Sequence, residues 1–562
     1  ISTMKKLIIL FTACIALVSC HDILDRYPLE GPPSATFFSN EDELTLAING
    51  AYESLYWLSN ANVPYQMFLE GATDIVYVRG NYANMDVIRI GQATASTAVF
   101  QSVWDTFYNN ISRCNNILDN MHRAKENVSE TFYNRIEAEA KFLRAYNYFY
   151  LTSLYGDVPF VEHMLDWKNP LLPKTPVRKI IDAMYADLDS AFKSVPRICS
   201  DKQYNRITQG AVMGLKARMA LVNNDMDVAA EAAWTVISSG VYSVYDSYEY
   251  LFLYDGMNSN EVILQMPFAE GVRTSQIPRH LGARSAPGYS AIVPTQVLVD
   301  MYQCVDGERI DRSKLYDPKK PFEKRDPRLA YSILYPGQWH AGIRFETHPD
   351  SIKTTKIVNG AYTRIANDEA THAYATFTGY LFRKYYDEQD LPAKVAKSSL
   401  NFMIMRYAEV LLTYAEAKIE LGEIDDTVIE AINQVRRRKD VMMPPAKITM
   451  SVDELRSLVR YERTVELALE GHRLFDIHRW GIAEEVLSGY MLGKRKKANW
   501  YDPVIPSFSD AGKPVYPDER IFNSLGYATF DPDKNSLWFI PQNEIDRNPL
   551  LQEETEDDDD DW

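Results

Sequence analysis

Cysteine is scarce, with five in 562 residues and no C-x-x-C. That excludes a disulfide scaffold and the common zinc and redox motifs. The chain also lacks H-E-x-x-H, G-x-S-x-G, G-x-x-x-x-G-K-[ST] and G-x-G-x-x-G, so metalloprotease, esterase, P-loop and dinucleotide chemistry find no motif to rest on. Positive charge is in deficit, with 60 Lys+Arg against 77 Asp+Glu and a net charge of −17. Such a chain has no footprint for a nucleic-acid backbone, and nucleic acid is not an expected partner. Long apolar runs are missing too. The longest, residues 7–18, has twelve positions, short of the ~20 that cross a bilayer.

What is present is enough for a large core. The chain is 46% hydrophobic and 24% charged, a globular composition with room for one large or several ordinary domains. Its 36 Tyr, 23 Phe and 9 Trp need a place in the core, on a contact surface, or both.

Lys5 and Lys6 after Met4, followed by the apolar residues 7–18, read as the n- and h-regions of a signal peptide over residues 4–19. It ends Leu17-Val18-Ser19-Cys20, which resembles a bacterial lipobox, with Cys20 the residue that takes lipid. An ordinary signal peptide with a chance cysteine is the other reading, and Cys14 is the poorer candidate because it interrupts the h-region. Residues 20–40 would then be a lipidated arm. At the other end, residues 553–562 form an acidic tail read as a solvated end, with a tag-like or partner-docking role as the alternative. Cys114, Cys199 and Cys304 are expected as buried thiols with at most one bridge.

Periodicity places helices in residues 41–240. Ser39-Asn40-Glu41-Asp42 can cap a helix running towards Leu58. Phe142, Tyr146 and Phe149, with Leu143, Tyr150 and Leu154, make a stripe wide enough for a helix packed on two sides, stopped at Gly156. Val212, Leu215 and Met219, then Ala229, Ala233 and Val236, form a helix–turn–helix of tetratricopeptide-repeat length. A similar unit returns in residues 401–490: Ala408, Leu411 and Ala415 with Val428, Ile432 and Val435, and a capping box at Ser451 and Glu454 opening a helix closed at Gly471. Trp57, Trp104, Trp234 and Trp480 fall in helical stripes and are expected in the core. Residues 241–400 and 491–552 lack a sustained period and read as loop-rich. The predicted fold class is mainly α, a tetratricopeptide-like scaffold carrying a large irregular region.

The chemistry-bearing clusters are weak. Residues 531–535, DPDKN, imitate an EF-hand start, but Ser536 and Gln542 replace its Gly and Glu, so calcium is not expected. His472 and His478 sit among Arg463, Arg473, Asp476 and Arg479 and read as packing at a helix end. A carboxylate pair of glycosidase type stays open, with 77 acids and nothing marking a pair.

Several segments together resemble the SusD/RagB family of outer-membrane nutrient-binding lipoproteins. They are residues 20–25 (CHDILD), 141–146 (KFLRAY) through 155–159 (YGDVP), 325–329 (RDPRL), 405–412 (MRYAEVLL), 470–473 (EGHR) with Asp476, Arg479 and Trp480, and 537–545 (LWFIPQNEI). They run in family order; the departures are the acidic tail and Phe539, where Pro is usual. The resemblance implies a tetratricopeptide-like scaffold under a variable binding region and a cell-surface lipoprotein of the outer membrane. It also implies a SusC-like TonB-dependent transporter as partner, an oligosaccharide or in some members a peptide as cargo, and neither catalysis nor a cofactor.

A sugar site needs aromatic platforms beside forked polar groups. The resemblance directs attention to two regions. The first offers Asp74, Tyr77, Arg79, Asn81 and Tyr82, between Gly71 and Gly80. The second offers Arg279, His280, Arg284 and Tyr289, then Trp339 and His340. Tyr77, Arg79, Asn81, Tyr82, Arg284, Tyr289 and Trp339 are the candidate ligand-binding residues, led by Trp339 and Tyr289. Oligosaccharide capture is the leading function; peptide binding on the same fold and a protein-interaction scaffold are the alternatives.

Overall fold

The structure, a computed structural model, describes residues 37–553 apart from 81, 167, 169 and 200–204. The expected signal peptide, Cys20, Asn81 and nearly all of the acidic tail lie outside the described residues.

Ten helices carry the scaffold: α1 (Glu41–Ala51), α2 (Ala98–Asn120), α3 (Glu130–Tyr155), α4 (Val177–Phe192), α5 (Gln209–Val222), α6 (Met226–Ser238), α7 (Tyr407–Glu420), α8 (Asp426–Arg436), α9 (Val452–Glu466) and α10 (Arg473–Arg479). Their starts follow local chemistry. Asn40 accepts the Glu43 N–H, Ser129 that of Phe132 and Thr208 that of Ala211, each satisfying an orphan donor of a first turn. Ser451 and Glu454 form the full capping box of α9. Ser451→Ala should lower stability by about 1 kcal/mol, measured by urea unfolding.

Helix α3 is buried almost continuously from Ile136 to Tyr155 because α2 packs on one side of it and α4 on the other. Gly156 ends it at φ 74°. Helices α5 and α6 pair, and α7 packs back on both although 168 residues separate α6 from α7. One hydrophobic cluster therefore spans the early and late helical regions. Some expectations need correction. Helix α1 stops at Ala51 and a 3-10 turn to Leu55 follows, so the helix does not reach Leu58. Helix α9 ends at Glu466 rather than near Gly471. Trp57 and Trp104 are core and Trp480 is half-buried, but Trp234 is 42% exposed on α6, its ring tilted against Tyr414. The three described cysteines are unbridged, two buried and Cys199 half-buried.

The irregular half contains more strand than its composition suggests. Antiparallel pairs join β1 (Val76–Val78) to β3 (Ile292–Pro294) and β2 (Val262–Met266) to β10 (Phe402–Arg406). They also join β4 (Ile333–Leu334) to β9 (Leu381–Phe382), β11 (Gly489–Arg495) to β14 (Phe522–Ala528), and β12 (Ser507–Phe508) to β13 (Pro514–Val515). A four-stranded sheet runs β5 (Trp339–His340), β6 (Ile343–Arg344), β7 (Lys353–Val358), β8 (Ala361–Ala366). The β7–β8 turn is Asn359-Gly360, with φ 49° and 78°, the two-residue turn whose twist suits a hairpin.

The two halves are bolted together by buried charge. Arg406 donates to Glu470, Glu261 and Glu466 at 2.7, 2.9 and 2.8 Å. Arg438 holds Glu261 and Glu466 at 2.7 and 2.8 Å, and Arg328 holds Asp326, Glu462 and Glu466 at 2.7, 2.7 and 2.9 Å. Lys384 adds Glu470 at 2.6 Å and Arg436 adds Glu462. Every member is buried, and five cations face five carboxylates, so the ensemble is neutral. The segments that carried the family resemblance, Asp326–Arg328, Arg406 and Glu470, are members of this network.

Candidate functional site

Pairing of β1 with β3 sets Tyr77 opposite Val293 and draws residues 76–82 against residues 279–294. Beyond the strand the Arg79 N–H donates to the Ala291 carbonyl at 2.9 Å. The 282–290 loop closes on itself: the Ser290 N–H donates to Gly282 O at 2.9 Å, and a Cβ on Gly288 would fall 2.2 Å from Gly282 backbone atoms. Only glycine admits that approach.

Four of the candidates meet here. The Arg79 guanidinium donates to the Tyr289 carbonyl at 3.1 Å and to the Tyr82 hydroxyl at 3.4 Å, and lies 5.1 Å from the Tyr374 ring. Arg284 donates to the Gly288 carbonyl at 3.0 Å and sits 3.1 Å from His372 Nε2. The Tyr289 ring is flanked by Arg279 at 4.5 Å and Arg284 at 6.0 Å. Beneath them His280 is 1% exposed, its Nδ1 within 3.0 Å of Gln276 O and its ring edge-on to Tyr82 and Tyr289. Burial and the neighbouring arginines hold it below the ordinary imidazole pKa, so it stands as a neutral floor, not a contact group. Asp74 is likewise withdrawn: buried, with its carboxylate held by Arg473 at 2.8 Å.

Tyr77 is half-buried against Phe377, 5.9 Å between rings. It packs on the small cluster of Ala283, Ala286, Val293, Leu334, Phe345 and Leu381, as does Ala341. Trp339 stands apart from the arginines, 42% exposed on β5, with its ring 5.6 Å from Tyr362, itself 76% exposed. His340 is buried, 3.2 Å from Glu388. The hydrogen bond from His340, helped by the Ala341 N–H, pulls the Glu388 carboxyl down to about 2.

Three side chains beside these candidates carry no mark in the sequence analysis: Tyr362 at Trp339, and Tyr374 and His372 at the arginines. The signal for Tyr362 was present, because Asn359-Gly360 announces a hairpin and the residue lies two positions beyond it. Nothing local announces Tyr374, which reaches Arg79 across 295 positions. The two histidines of the helical half are packed, as expected: His472 is buried among Arg218, Arg463, Arg406 and Lys384 and kept neutral by burial and their charge, and His478 is pushed down to about 4 by burial. Among the described residues no group of three or more His, Cys, Asp or Glu could hold a metal ion, and no helix is long and apolar enough to cross a membrane.

The face thus offers exposed aromatic rings beside guanidinium groups, in a shell of short strands and loops set on the helical scaffold. Known proteins share the fold that carries it. Residues 260–556 match the SusD family and residues 27–221 match the family described as "starch-binding associating with outer membrane". SusD-like protein P2 of Formosa agariphila is 25% identical over 507 residues, covering 86% of this chain and 92% of that protein. SusD-like protein P25 of the same organism is 23% identical, covering 86% and 91%. A crystal structure of a SusD-like carbohydrate-binding protein from Bacteroides fragilis superposes with a TM-score of 0.79 at 28% identity, covering 92% of this chain and all of that one. With more than half of the sequence matched by the family and a helical architecture that follows a solved member over nine-tenths of its length, the chain belongs to the SusD family.

Proposed function

We propose that this protein is a non-catalytic receptor that captures oligosaccharides on the face bearing Trp339, Tyr289, Arg79, Arg284, Tyr82 and Tyr77. The observation that carries the reading is the exposed pair Trp339–Tyr362, with Tyr374 over Arg79. Apolar sugar faces stack on such rings while guanidinium donors meet the hydroxyls, and a carbohydrate-binding relative shares the fold. Arg79 and Arg284 each keep donors beyond those already used on backbone carbonyls.

In this reading the protein is held at the outer membrane by lipid on Cys20 and passes its cargo to a SusC-like TonB-dependent transporter, which the family resemblance supports. Calorimetry against a panel of neutral oligosaccharides is the test. One should bind, and Trp339→Ala should weaken it by about fivefold, in keeping with ~1 kcal/mol for a lost ring contact. Binding of peptides alone, or an affinity untouched by Trp339→Ala and Tyr289→Ala, would overturn the assignment.

A further inference from the structure

A cavity lies on the other side of the 372–380 loop from the arginine face. The Lys494 N–H donates to Phe377 O at 2.9 Å, while the Phe377 ring packs on Tyr77. The loop therefore presents Tyr374 to the arginine face and Thr378, Gly379 and Tyr380 to this cavity, which has a volume of 660 Å³. That is room for a sugar residue or more.

Its walls are aromatic, and its lining carries four cations, Lys319, Lys320, Lys494 and Arg495, against three carboxylates, Asp300, Glu323 and Asp502. Trp500 and Tyr501 form one side. Their rings pack around His348 at 5.1 and 5.3 Å, and Tyr501 is 80% exposed. Phe322 and Tyr335, stacked at 4.1 Å, form another. Each carboxylate at the cavity is already engaged. Asp300 accepts the Tyr516 hydroxyl at 2.6 Å, Glu323 is paired with Lys320 at 3.2 Å, and Asp502 accepts from Asn499 at 2.8 Å. Glu369, whose charge is felt at Lys494, accepts from Ser285 at 2.9 Å. Arg495 donates to the Asp502 carbonyl.

Two cations remain unspent. Lys494 is half-buried in the wall and its ammonium makes no ion pair or hydrogen bond among the described residues, and neither does that of exposed Lys319 at the rim. A half-buried ammonium with no partner is unfavourable on its own. Burial accordingly draws the Lys494 pKa down, and an anion seated beside it would relieve that penalty.

We propose that this cavity is a second ligand subsite, taking an acidic sugar residue whose carboxylate or sulfate pairs with Lys494 and Lys319 and whose ring lies against Trp500 and Tyr501. The proposal rests on the reading of the protein as a saccharide receptor but concerns a separate surface. Calorimetry on the full chain with three probes separates the two: an oligogalacturonate, a sulfated carrageenan tetrasaccharide and a neutral oligosaccharide. An acidic probe should bind more tightly than the neutral one, and more weakly as salt is raised. Lys494→Gln should weaken it by about tenfold with neutral binding unchanged, and Lys319→Gln, at an exposed position, by about threefold. Carboxylate against sulfate is read from which acidic probe responds. Failure of both acidic probes to bind overturns the subsite even if the neutral probe binds. So does an acidic affinity lost in Trp339→Ala but kept in Lys494→Gln, which would place the acid on the arginine face. If Lys494→Gln does not fold in a thermal melt, an unchanged affinity in Lys319→Gln overturns the proposal by itself.

Discussion

Glu466→Gln is expected to lower the unfolding free energy by about 3–5 kcal/mol, the range for breaking a buried ionic network by removing one partner. Its carboxylate sits among Arg438, Arg406 and Arg328 at 2.8, 2.8 and 2.9 Å, fully buried. The substitution leaves three guanidinium groups short of a counter-charge and turns an amide N–H₂ towards donors. The same geometry sets the acid limit. Those three arginines overcome the burial penalty and hold the Glu466 carboxyl well below its usual 4.5, and Arg406 with Lys384 holds Glu470 down as well. A carboxyl lowered in the folded state contributes stability that is present above its unfolded pKa and is lost as pH falls below it. Wild-type protein should therefore lose stability steeply below about pH 4.5, and Glu466→Gln should show a shallower acid limb. Urea titrations by circular dichroism between pH 3 and pH 7 check both. Equal midpoints for the two proteins at pH 7 would show that the network is worth nothing to the fold.

Glu70 should act with the opposite sign. One carboxylate oxygen accepts the N–H groups of Gly471 and His472 at 2.9 and 3.1 Å, and the other is buried without a partner among the described residues. Burial outweighs those bonds and the charges of Arg473 and Lys384, pushing its pKa up from 4.5 to about 7. The folded protein then holds a proton that the unfolded chain has released, so stability falls as pH rises from about 4.5 to 7 and levels above that. Across that window the wild type should lose about 3 kcal/mol relative to Glu70→Gln, whose amide does not titrate. Thermal melts of both proteins from pH 4.5 to pH 8 read the difference directly. A constant offset across that range would mean that Glu70 stays ionised on folding. Together the two carboxylates place greatest stability at mildly acidic pH, about 5, above the acid loss of Glu466 and below the rise that ionises Glu70.

Much of the scaffold is legible in the sequence because it depends on near neighbours. The stripe of α3, its stop at Gly156, the α5–α6 hairpin and the capping box of α9 are each written within one or two helical turns, where side-chain spacing maps directly onto a face. Where local spacing misplaces a residue, the deciding partner is distant. Trp234 shares a stripe with core residues, yet the packing of α6 leaves its ring at the rim beside Tyr414. The middle third showed no sustained period because its strands are mostly two to six residues long and are stabilised by pairing rather than by an amphipathic face. Asn359-Gly360 was the one local signal of a strand pair there.

The candidate site divides in the same way. Residue type and position nominated Arg79, Tyr82, Arg284, Tyr289 and Trp339, and the fold brings the first four into contact while setting Trp339 on a separate sheet with Tyr362. It withdraws Asp74 and His280 into the interior. Neither outcome is visible locally, since Asp74 meets Arg473 across 399 positions.

The sequence by itself determined the helical class, the shortage of positive charge, the lack of motif-borne chemistry and the ordered set of segments that mark the family. Only the tertiary structure decided what those segments are for. Asp326, Arg328, Arg406 and Glu470 look like unrelated polar residues on scattered elements until the chain folds. They then form one neutral, buried network that fixes the irregular half to the helices. It is also the fold that leaves the Lys494 ammonium half-buried without a partner among the described residues, because whether a charge is satisfied depends on which distant segments fold against it.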